Sequence, residues 1–297
     1  MNLKASGIEK RRYSCYRDGL KINGTLFLPQ THKNERLPIA IVCHEFMANQ
    51  LFSFSYAKAL AGIGFAAFCF DFCGGGLVSI SRGSRRDMSV LTEISDLKAV
   101  IRFAQSLSNT DESNLLLVGC SQGGLVAALT AAQMPETVNG LVLLYPALCI
   151  PDAARAGKML WLKFDPSNIP EKMHAGPMPL GRRYAADVMN MDAFQQIAGY
   201  SGKVLLLHGD RDTIVSISNT QKACSVYQAA GANVRFVTIP GGKHIFRKPS
   251  QIRQATQEII AFTHNIIKKE HEKKADNGTE NVEIVSNQKR ARSVKIL

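Results

Sequence analysis

Long apolar segments are missing from this 297-residue chain. No stretch reaches the roughly 18 uncharged apolar residues that a membrane-spanning helix needs. The first ten residues also lack the apolar core of a signal peptide. These absences argue against a membrane span and predict a cytoplasmic protein. Hydrophobic residues make up 45% of the chain and charged residues 20%, which is ordinary for a soluble globular protein.

The chain also lacks the even number of cysteines that a fully paired disulfide framework needs. The seven cysteines are an odd number, and Cys43, Cys120 and Cys149 lie in or beside apolar runs. We expect them to be small core residues in a reducing compartment rather than a disulfide framework. Cys69 and Cys73 are four residues apart, but no second Cys or His pair accompanies them. The sequence therefore predicts no metal site.

The positive charge has no ordered arrangement along the sequence. The formal net charge is +12, yet the basic residues are scattered, with small clusters at 82–86 and 182–183. There is no basic stripe with interleaved aromatic residues and no nucleic-acid-binding motif. Solvated surface charge is the favoured interpretation, and we expect no nucleic-acid partner.

Strand-like and helix-like patterns alternate along most of the chain. Alternating residues at 11–17 and 20–28 predict an N-terminal antiparallel hairpin. Short continuous apolar runs, typical of strands that are covered on both faces, follow at 38–43, 65–70, 114–118, 140–145, 203–208 and 234–239. Helical patterns fall between them at 53–62, 90–107, 122–133, 217–230 and 251–268. This order predicts an α/β fold with a mostly parallel, doubly wound sheet.

One interval breaks the alternation, and we interpret it as a lid or cap over the functional site. Residues 147–199 carry five prolines and Trp161, which is the only tryptophan. The interval is too long for a plain connection, and such insertions are usually functional. The alternative is a helical insertion without a role at the site.

The domain prediction follows from that insertion. The predicted α/β core comprises 1–146 and 200–268, and the predicted lid comprises 147–199. Residues 269–297 are polar and charged, with one short apolar stretch at 282–285 that could pair as a strand. Their composition predicts a flexible C-terminal tail.

The clearest chemical signal lies at 115–133. An apolar strand pattern runs into Gly119-Cys120-Ser121-Gln122-Gly123, and a helix rich in small residues follows. A G-x-S-x-G sequence between a strand and a helix is a nucleophile elbow. The two glycines let the strand and the helix pass closely, where a β-carbon would clash. Ser121 is therefore the predicted nucleophile.

A serine nucleophile needs a base and a third group that orients the base. In an α/β sheet these groups lie on loops at the carboxyl ends of the strands. His244 follows the strand at 234–239 and is the predicted base. Asp210 and Asp212 follow the strand at 203–208. Asp210 comes directly after a glycine turn and is expected to bond the loop backbone, so Asp212 is the favoured orienting group.

Other polar residues are predicted to be structural. His208 ends a strand and is expected to be packed or to bond its loop. Glu93 and Asp96 lie in the first turns of a predicted helix, where acidic residues favour the helix dipole. The glycine run at 74–76 is not followed by the G-K-S/T of a phosphate loop and is expected to form a tight turn.

The oxyanion of an acyl-transfer reaction needs two preorganised donors. One is predicted to be the backbone N–H of Gln122, directly after the nucleophile. The other is predicted to be the N–H of Phe46, in the loop His44-Glu45-Phe46 that follows the strand at 38–43. The alternative for this loop is that it merely ends the strand.

These residues together look like the α/β-hydrolase superfamily, and more narrowly the chain resembles the bacterial feruloyl (cinnamoyl) esterase-like serine hydrolases over roughly residues 10–268. The matching features are His44-x-Phe46, Asp71-Phe72-x-Gly74-x-Gly76, the helix start at 88–96, the elbow around Ser121, the stretch at 164–170, His208-Gly209-x-x-Asp212 and His244. The resemblance implies an α/β-hydrolase fold and a Ser121, His244, Asp212 triad. It also implies an oxyanion hole from Phe46 and Gln122.

The resemblance further implies a lid that grips the acyl or aromatic part of an ester, with Trp161 and Phe164 as candidate contacts, and no metal or organic cofactor. The chain departs from the family pattern at Glu45, where the family usually has glycine. A carboxylate there either points away from the oxyanion hole or disfavours anionic substrates. It also has Cys73 in place of the usual polar residue and Gly75 in place of the usual histidine.

The predicted function is therefore a serine carboxylesterase that cleaves small or medium acyl or aromatic esters through an acyl-enzyme intermediate. A thioesterase or a serine peptidase with the same triad is the first alternative, because the serine chemistry is the same. A non-catalytic binding protein is the second. The expected partner is a small-molecule ester. The sequence does not decide between a monomer and a homodimer.

Overall fold

The computed structural model describes residues 7–30 and 36–263. The predicted tail at 269–297, the apolar stretch at 282–285 and the end of the last predicted helix lie outside these residues. Among the described helices, none is both long and apolar enough to cross a bilayer.

Twelve strands and eight helices are described, together with a short 3-10 turn at Gln50–Ser53. The strands are β1 Ile8–Arg17, β2 Leu20–Pro29, β3 Leu37–Cys43, β4 Ala66–Phe70, β5 Thr110–Cys120, β6 Val138–Leu144, β7 Lys158–Met159, β8 Leu162–Lys163, β9 Lys172–Ala175, β10 Met178–Gly181, β11 Lys203–Gly209 and β12 Asn233–Ile239. The helices are α1 Phe54–Gly62, α2 Val90–Gln105, α3 Gln122–Gln133, α4 Ile150–Arg155, α5 Arg183–Met189, α6 Ala193–Ile197, α7 Ile217–Ala229 and α8 at 249–263.

Eight of the strands form one sheet in the order β1-β2-β4-β3-β5-β6-β11-β12. Strands β1 and β2 pair as an antiparallel hairpin, and β2 is antiparallel to β4. The other neighbours are parallel. The mostly parallel, doubly wound sheet with an N-terminal antiparallel hairpin is thus confirmed.

Both faces of the sheet are buried. Along β5, Leu115 and Leu117 point to the core cluster that includes α2 and α3, whereas Leu116 and Val118 point to the cluster that includes α1 and α8. Side chains alternate between the two faces of a strand, so a strand that is covered on both faces is apolar at every position. This is why the central strands appear as continuous apolar runs in the sequence.

Strand β5 is longer than its apolar run. It begins at Thr110 rather than at 114, because Leu37 and Pro38 of β3 pair with Thr110 and Asp111 before a register shift. The added residues are mostly polar, so hydrophobic patterning does not detect them.

The interval 147–199 lies between β6 and β11 and contains α4, α5, α6 and two small antiparallel hairpins, β7–β8 and β9–β10. The hairpins were not predicted, since strands of two and four residues are too short to show a periodicity. Met178, Tyr184 and Ile197 of this interval belong to the same apolar cluster as α2 and α3. The insertion is therefore packed onto the core.

Candidate active site

Ser121 occupies a sharp turn between β5 and α3. Its backbone has φ +51° and ψ −117°, a conformation that costs a non-glycine residue energy and occurs mainly at functional sites. A β-carbon at Gly119 would meet the carbonyl oxygen of Gly123 at 2.3 Å, and one at Gly123 would meet the carbonyl oxygen of His44 at 2.4 Å. Only glycine fits at these two positions, as the elbow interpretation expects.

The structure brings Ser121, His244 and Asp212 together from three loops at the same edge of the sheet. Ser121 Oγ lies 2.8 Å from His244 Nε2, and His244 Nδ1 lies 2.8 Å from Asp212 Oδ2. Because the carboxylate can only accept, Nδ1 carries the proton and Nε2 of a neutral imidazole is left to accept from the serine hydroxyl. This is the geometry that a general base requires.

The Asp212 carboxylate is shielded from solvent and fully hydrogen-bonded. Its Oδ1 accepts from the backbone N–H groups of Ile214 and Val215 at 2.8 and 3.0 Å, and its Oδ2 lies 3.0 Å from His208 Nε2. Burial by itself would raise the pKa of Asp212, but the hydrogen bonds from His208 and His244 outweigh it and hold the pKa well below its ordinary value. Asp212 therefore stays ionised and able to orient His244.

His208 is buried, as expected, and bonds its loop. Its Nε2 lies 3.0 Å from the carbonyl oxygen of Val215, and its Nδ1 lies 2.7 Å from Thr220 Oγ1. The contact with Asp212 was not predicted, because the sequence pattern did not indicate which group of the loop His208 bonds. His208 thus supports the carboxylate that orients His244.

The competing acid has the role that its position predicts. Asp210 is exposed, and its Oδ1 accepts a hydrogen bond from the backbone N–H of Gly241 at 2.6 Å. This bond ties the loop after β11 to the loop after β12, which carries His244.

The loop with Phe46 is held in a defined shape. His44 Nδ1 donates to the carbonyl oxygen of Glu45 at 2.7 Å, and its Nε2 accepts from the backbone N–H of Phe72 at 3.1 Å. Burial lowers the pKa of His44, so the ring is neutral and both contacts are satisfied. Met47 has φ +66°, which turns the chain sharply after Phe46. The predicted oxyanion donor therefore lies on a fixed loop.

In the described part of the chain, the backbone N–H groups of Phe46 and Gln122 have no backbone acceptor. Gln122 is the first residue of α3, where N–H groups lack partners within the helix. Phe46 and Gln122 also line the same cavity as Ser121. Both N–H groups stay predicted oxyanion donors.

Ser121 lies in a largely apolar cavity of about 540 Å³, called the apolar cavity below. That size is typical of small-molecule sites. Its lining includes Phe46, Ile150, Met159, Leu160, Trp161, Tyr184 and His244. Trp161 is part of this lining and is 67% exposed. The insertion at 147–199 supplies much of the lining.

Phe164 is placed differently from the prediction. It is half-buried and packs against the main apolar cluster, and its backbone N–H bonds the carbonyl oxygen of Gly157 at 2.9 Å. Among the described residues it is not part of the cavity lining.

Residues 52–270 match the model of the prolyl oligopeptidase family, which is most of the chain. The chain belongs to the prolyl oligopeptidase family. It is therefore a hydrolase.

Solved structures support the same assignment. Est1E from Butyrivibrio proteoclasticus with bound ferulic acid is 29% identical, with a TM-score of 0.79 over 86% of this chain and 99% of that chain. The predicted resemblance to feruloyl esterase-like hydrolases is thereby confirmed. The esterase domain of a Rhodothermus marinus protein is 20% identical, with a TM-score of 0.65 over 86% of this chain and 98% of that chain, and shares the fold.

A sequence relative has no stated activity. An uncharacterized protein of Mycobacterium tuberculosis is 25% identical over 227 residues, which is 76% of this chain and 69% of that protein.

Gln122 of this prolyl oligopeptidase family member is held by two buried side chains. Its Nε2 donates to Glu93 Oε2 at 2.9 Å, and its Oε1 accepts from the Tyr184 hydroxyl at 2.8 Å. Tyr184 belongs to α5 of the insertion and also stacks on the ring of Phe46, with centroids 5.3 Å apart. Tyr184 thus contacts both predicted oxyanion residues. Sequence patterning gave no signal for it, because it lies in the irregular insertion.

Glu93 and Asp96 are structural, but for a different reason from the one predicted. Glu93 lies in the first turn of α2, as predicted, but both side chains are buried and bond the protein interior. Asp96 accepts from Arg17 Nε at 2.7 Å and from the backbone N–H of Cys73 at 2.8 Å. Burial raises the pKa of Glu93 from an ordinary value of 4.5 to about 8, although the hydrogen bond from Gln122 opposes the shift.

This shift predicts a pH-dependent stability. Between pH 4.5 and about 8 the unfolded chain ionises Glu93 while the folded chain keeps it protonated, so rising pH favours unfolding. In the wild type we expect the free energy of unfolding to fall by about 1 kcal/mol per pH unit in this window, and Glu93→Gln should abolish this fall. Denaturant titrations of both proteins across the window measure it. Glu136→Gln, at an exposed acid, is the matched control, and parallel pH curves for wild type and Glu93→Gln would contradict the prediction.

Proposed function

We propose that this hydrolase cleaves carboxylic esters with small or medium acyl or aromatic groups through an acyl-enzyme intermediate. Ser121 Oγ attacks the ester carbonyl while His244 Nε2 takes its proton, and Asp212 holds the imidazole and stabilises its charged form. The N–H groups of Phe46 and Gln122 stabilise the oxyanion. His244 then gives the proton to the leaving alcohol, and water releases the acyl group by the same steps.

The observation that carries the proposal is the hydrogen-bonded chain from Ser121 Oγ through His244 to Asp212, with both distances at 2.8 Å, facing a largely apolar cavity. A serine at positive φ with an aligned base is typical of a catalytic nucleophile.

The substrate preference is proposed from the cavity lining. The rings of Phe46, Trp161 and Tyr184 and the side chain of Met159 suit an acyl or aromatic group. The ferulic acid bound to Est1E supports an aromatic acyl group for this chain too. We infer that the insertion at 147–199 acts as a lid, because it supplies this lining.

Glu45, at which the chain departs from the pattern of the resembled family, also lines the apolar cavity. It is the only carboxylate in the described lining of the apolar cavity, and its Oε1 accepts from the buried Tyr145 hydroxyl at 2.9 Å. This bond directs the carboxylate to Tyr145, which is not part of the described cavity lining. We therefore infer that the carboxylate points away from the oxyanion hole, which is the first of the two placements expected for it.

Burst kinetics with p-nitrophenyl butyrate test the proposal. We expect a burst of about one equivalent of p-nitrophenolate, since the acyl-enzyme accumulates, and covalent labelling of Ser121 by a fluorophosphonate probe. Ser121→Ala is the control and should take no label. If folded wild type neither turns over the ester nor takes the label, the catalytic proposal fails and a non-catalytic binding protein is favoured instead.

Peptide hydrolysis is the second candidate function, and the family assignment favours it. The same serine chemistry cleaves amides when the substrate is bound productively. Matched p-nitroanilides and p-nitrophenyl esters with one acyl group distinguish the two functions. We expect kcat/KM to be higher for the ester, and a higher value for the anilide would make the protein a peptidase.

A further inference from the structure

A second cavity of about 870 Å³ adjoins the apolar cavity. It is called the cationic cavity here, because Arg211, Lys243, Arg247 and Lys248 contribute to its lining and no acidic residue does. The loop after β11 supplies Arg211, and the loop between β12 and α8 supplies the other three. These are the two loops that also carry Asp212 and His244.

The four cationic side chains are available to a ligand. In residues 7–30 and 36–263, none of them takes part in an ion pair. All four residues are exposed. The nearby Asp210 is engaged with the backbone N–H of Gly241, and the Asp212 carboxylate is shielded from solvent behind the imidazole.

His244 connects the two cavities. The cavities share Thr213, Ile214, His244 and Ile245, whereas Ser121 lines only the apolar one. In the proposed reaction His244 returns its proton to the leaving atom, so the leaving group must lie against the imidazole. The acyl group then occupies the apolar cavity, and the rest of the leaving group extends past His244 into the cationic cavity.

We infer that the preferred substrates have an alcohol or thiol leaving group that carries phosphate. This inference rests on the proposed function and specifies the leaving group of that reaction. Arginine and lysine are the side chains that bind phosphate oxygens best, and four of them in one cavity suit more than one negative charge. The described lining of the apolar cavity holds one carboxylate, Glu45, and one cation, Lys158, so the excess of positive charge lies in the cationic cavity.

Coenzyme A thioesters are a suitable probe, because their thiol leaving group bears three phosphates. In the first step the bond from Ser121 Oγ to the acyl carbon forms, the carbon–sulfur bond breaks, and the serine proton reaches sulfur through His244. In the second step the oxygen of water bonds to the acyl carbon, the bond from that carbon to Ser121 Oγ breaks, and a proton from the water reaches Oγ through His244. A carboxylic acid and a thiol leave, with no oxidant or reductant.

The test compares kcat/KM for butyryl-CoA with kcat/KM for S-butyryl-N-acetylcysteamine, which has the same acyl group and thioester but no phosphate. We expect the ratio to exceed about 10 at low salt and to fall as NaCl rises from about 20 to about 200 mM, since exposed charges are screened. Arg247→Ala/Lys248→Ala should lower the ratio by about 3- to 10-fold. Free coenzyme A should inhibit p-nitrophenyl butyrate hydrolysis competitively, and more strongly than N-acetylcysteamine.

Arg12→Ala/Lys58→Ala is the matched control, because it removes two exposed charges from β1 and α1. Strand β1 forms the sheet edge opposite β12. The control should keep the wild-type ratio. A ratio near one, or the same loss of ratio in both double variants, overturns the inference. If only this inference fails, the wild type still hydrolyses p-nitrophenyl butyrate through Ser121. If the proposed function fails, no ester is cleaved.

Discussion

Ser121→Ala should lower kcat for p-nitrophenyl butyrate by about 10⁵- to 10⁶-fold while the protein stays folded. Without Oγ no acyl-enzyme forms, and only substrate binding and the oxyanion donors still favour the reaction over hydrolysis in water. The methyl group of alanine fits the turn as well as the serine side chain, so far-UV circular dichroism and the melting temperature should change little. Ser225→Ala, at an exposed serine of α7, should keep wild-type activity.

His244→Ala should cause a loss of similar size, and the double variant Ser121→Ala/His244→Ala should be no less active than either single variant. A nucleophile and its base act as one unit, so their losses are not additive. His174→Ala, at an exposed histidine of β9, is the control and should have no effect. If the losses add in the double variant, Ser121 and His244 do not act as one catalytic unit, although Oγ and Nε2 are 2.8 Å apart.

Asp212→Asn should lower kcat by about 10⁴-fold. The carboxylate accepts from His244 Nδ1 and thereby leaves Nε2 free to accept the serine proton. An amide can donate to Nδ1, and the ring then carries its proton on Nε2, where it cannot act as a base. The loss should appear in kcat, with the fold unchanged.

Asp210→Asn is the decisive comparison, because it makes the same change two residues away in the same loop. The Asp210 side chain bonds only the N–H of Gly241 among its described partners, and an asparagine oxygen can still accept that bond. We expect activity within about 3-fold of wild type and a loss of stability of about 1 kcal/mol or less. Equal losses in the two variants would mean that Asp212 acts through the loop and not through His244.

Much of this protein could be predicted from local patterns. The apolar runs indicate the central strands because a strand covered on both faces is apolar throughout. The elbow requires glycine at 119 and 123 whatever surrounds it. Parallel strands end at one edge of the sheet, so the residues after β5, β11 and β12 had to meet there. For that reason Ser121, Asp212 and His244 could be named before the fold was known.

Other features depend on contacts between distant segments, which no local pattern encodes. Tyr184 reaches Gln122 and Phe46 only because α5 packs against α2, and burial rather than position in a helix shifts the pKa of Glu93. Phe164 is aromatic and lies in the insertion, yet it packs against the core. The four cations of the cationic cavity lie on two loops that the sheet brings together. The sequence by itself therefore determined which serine, histidine and aspartate meet at this edge of the sheet, because their meeting depends on residue type and strand order. Only the tertiary structure decided the surroundings that choose a substrate, because these depend on which side chains remain unpaired after packing.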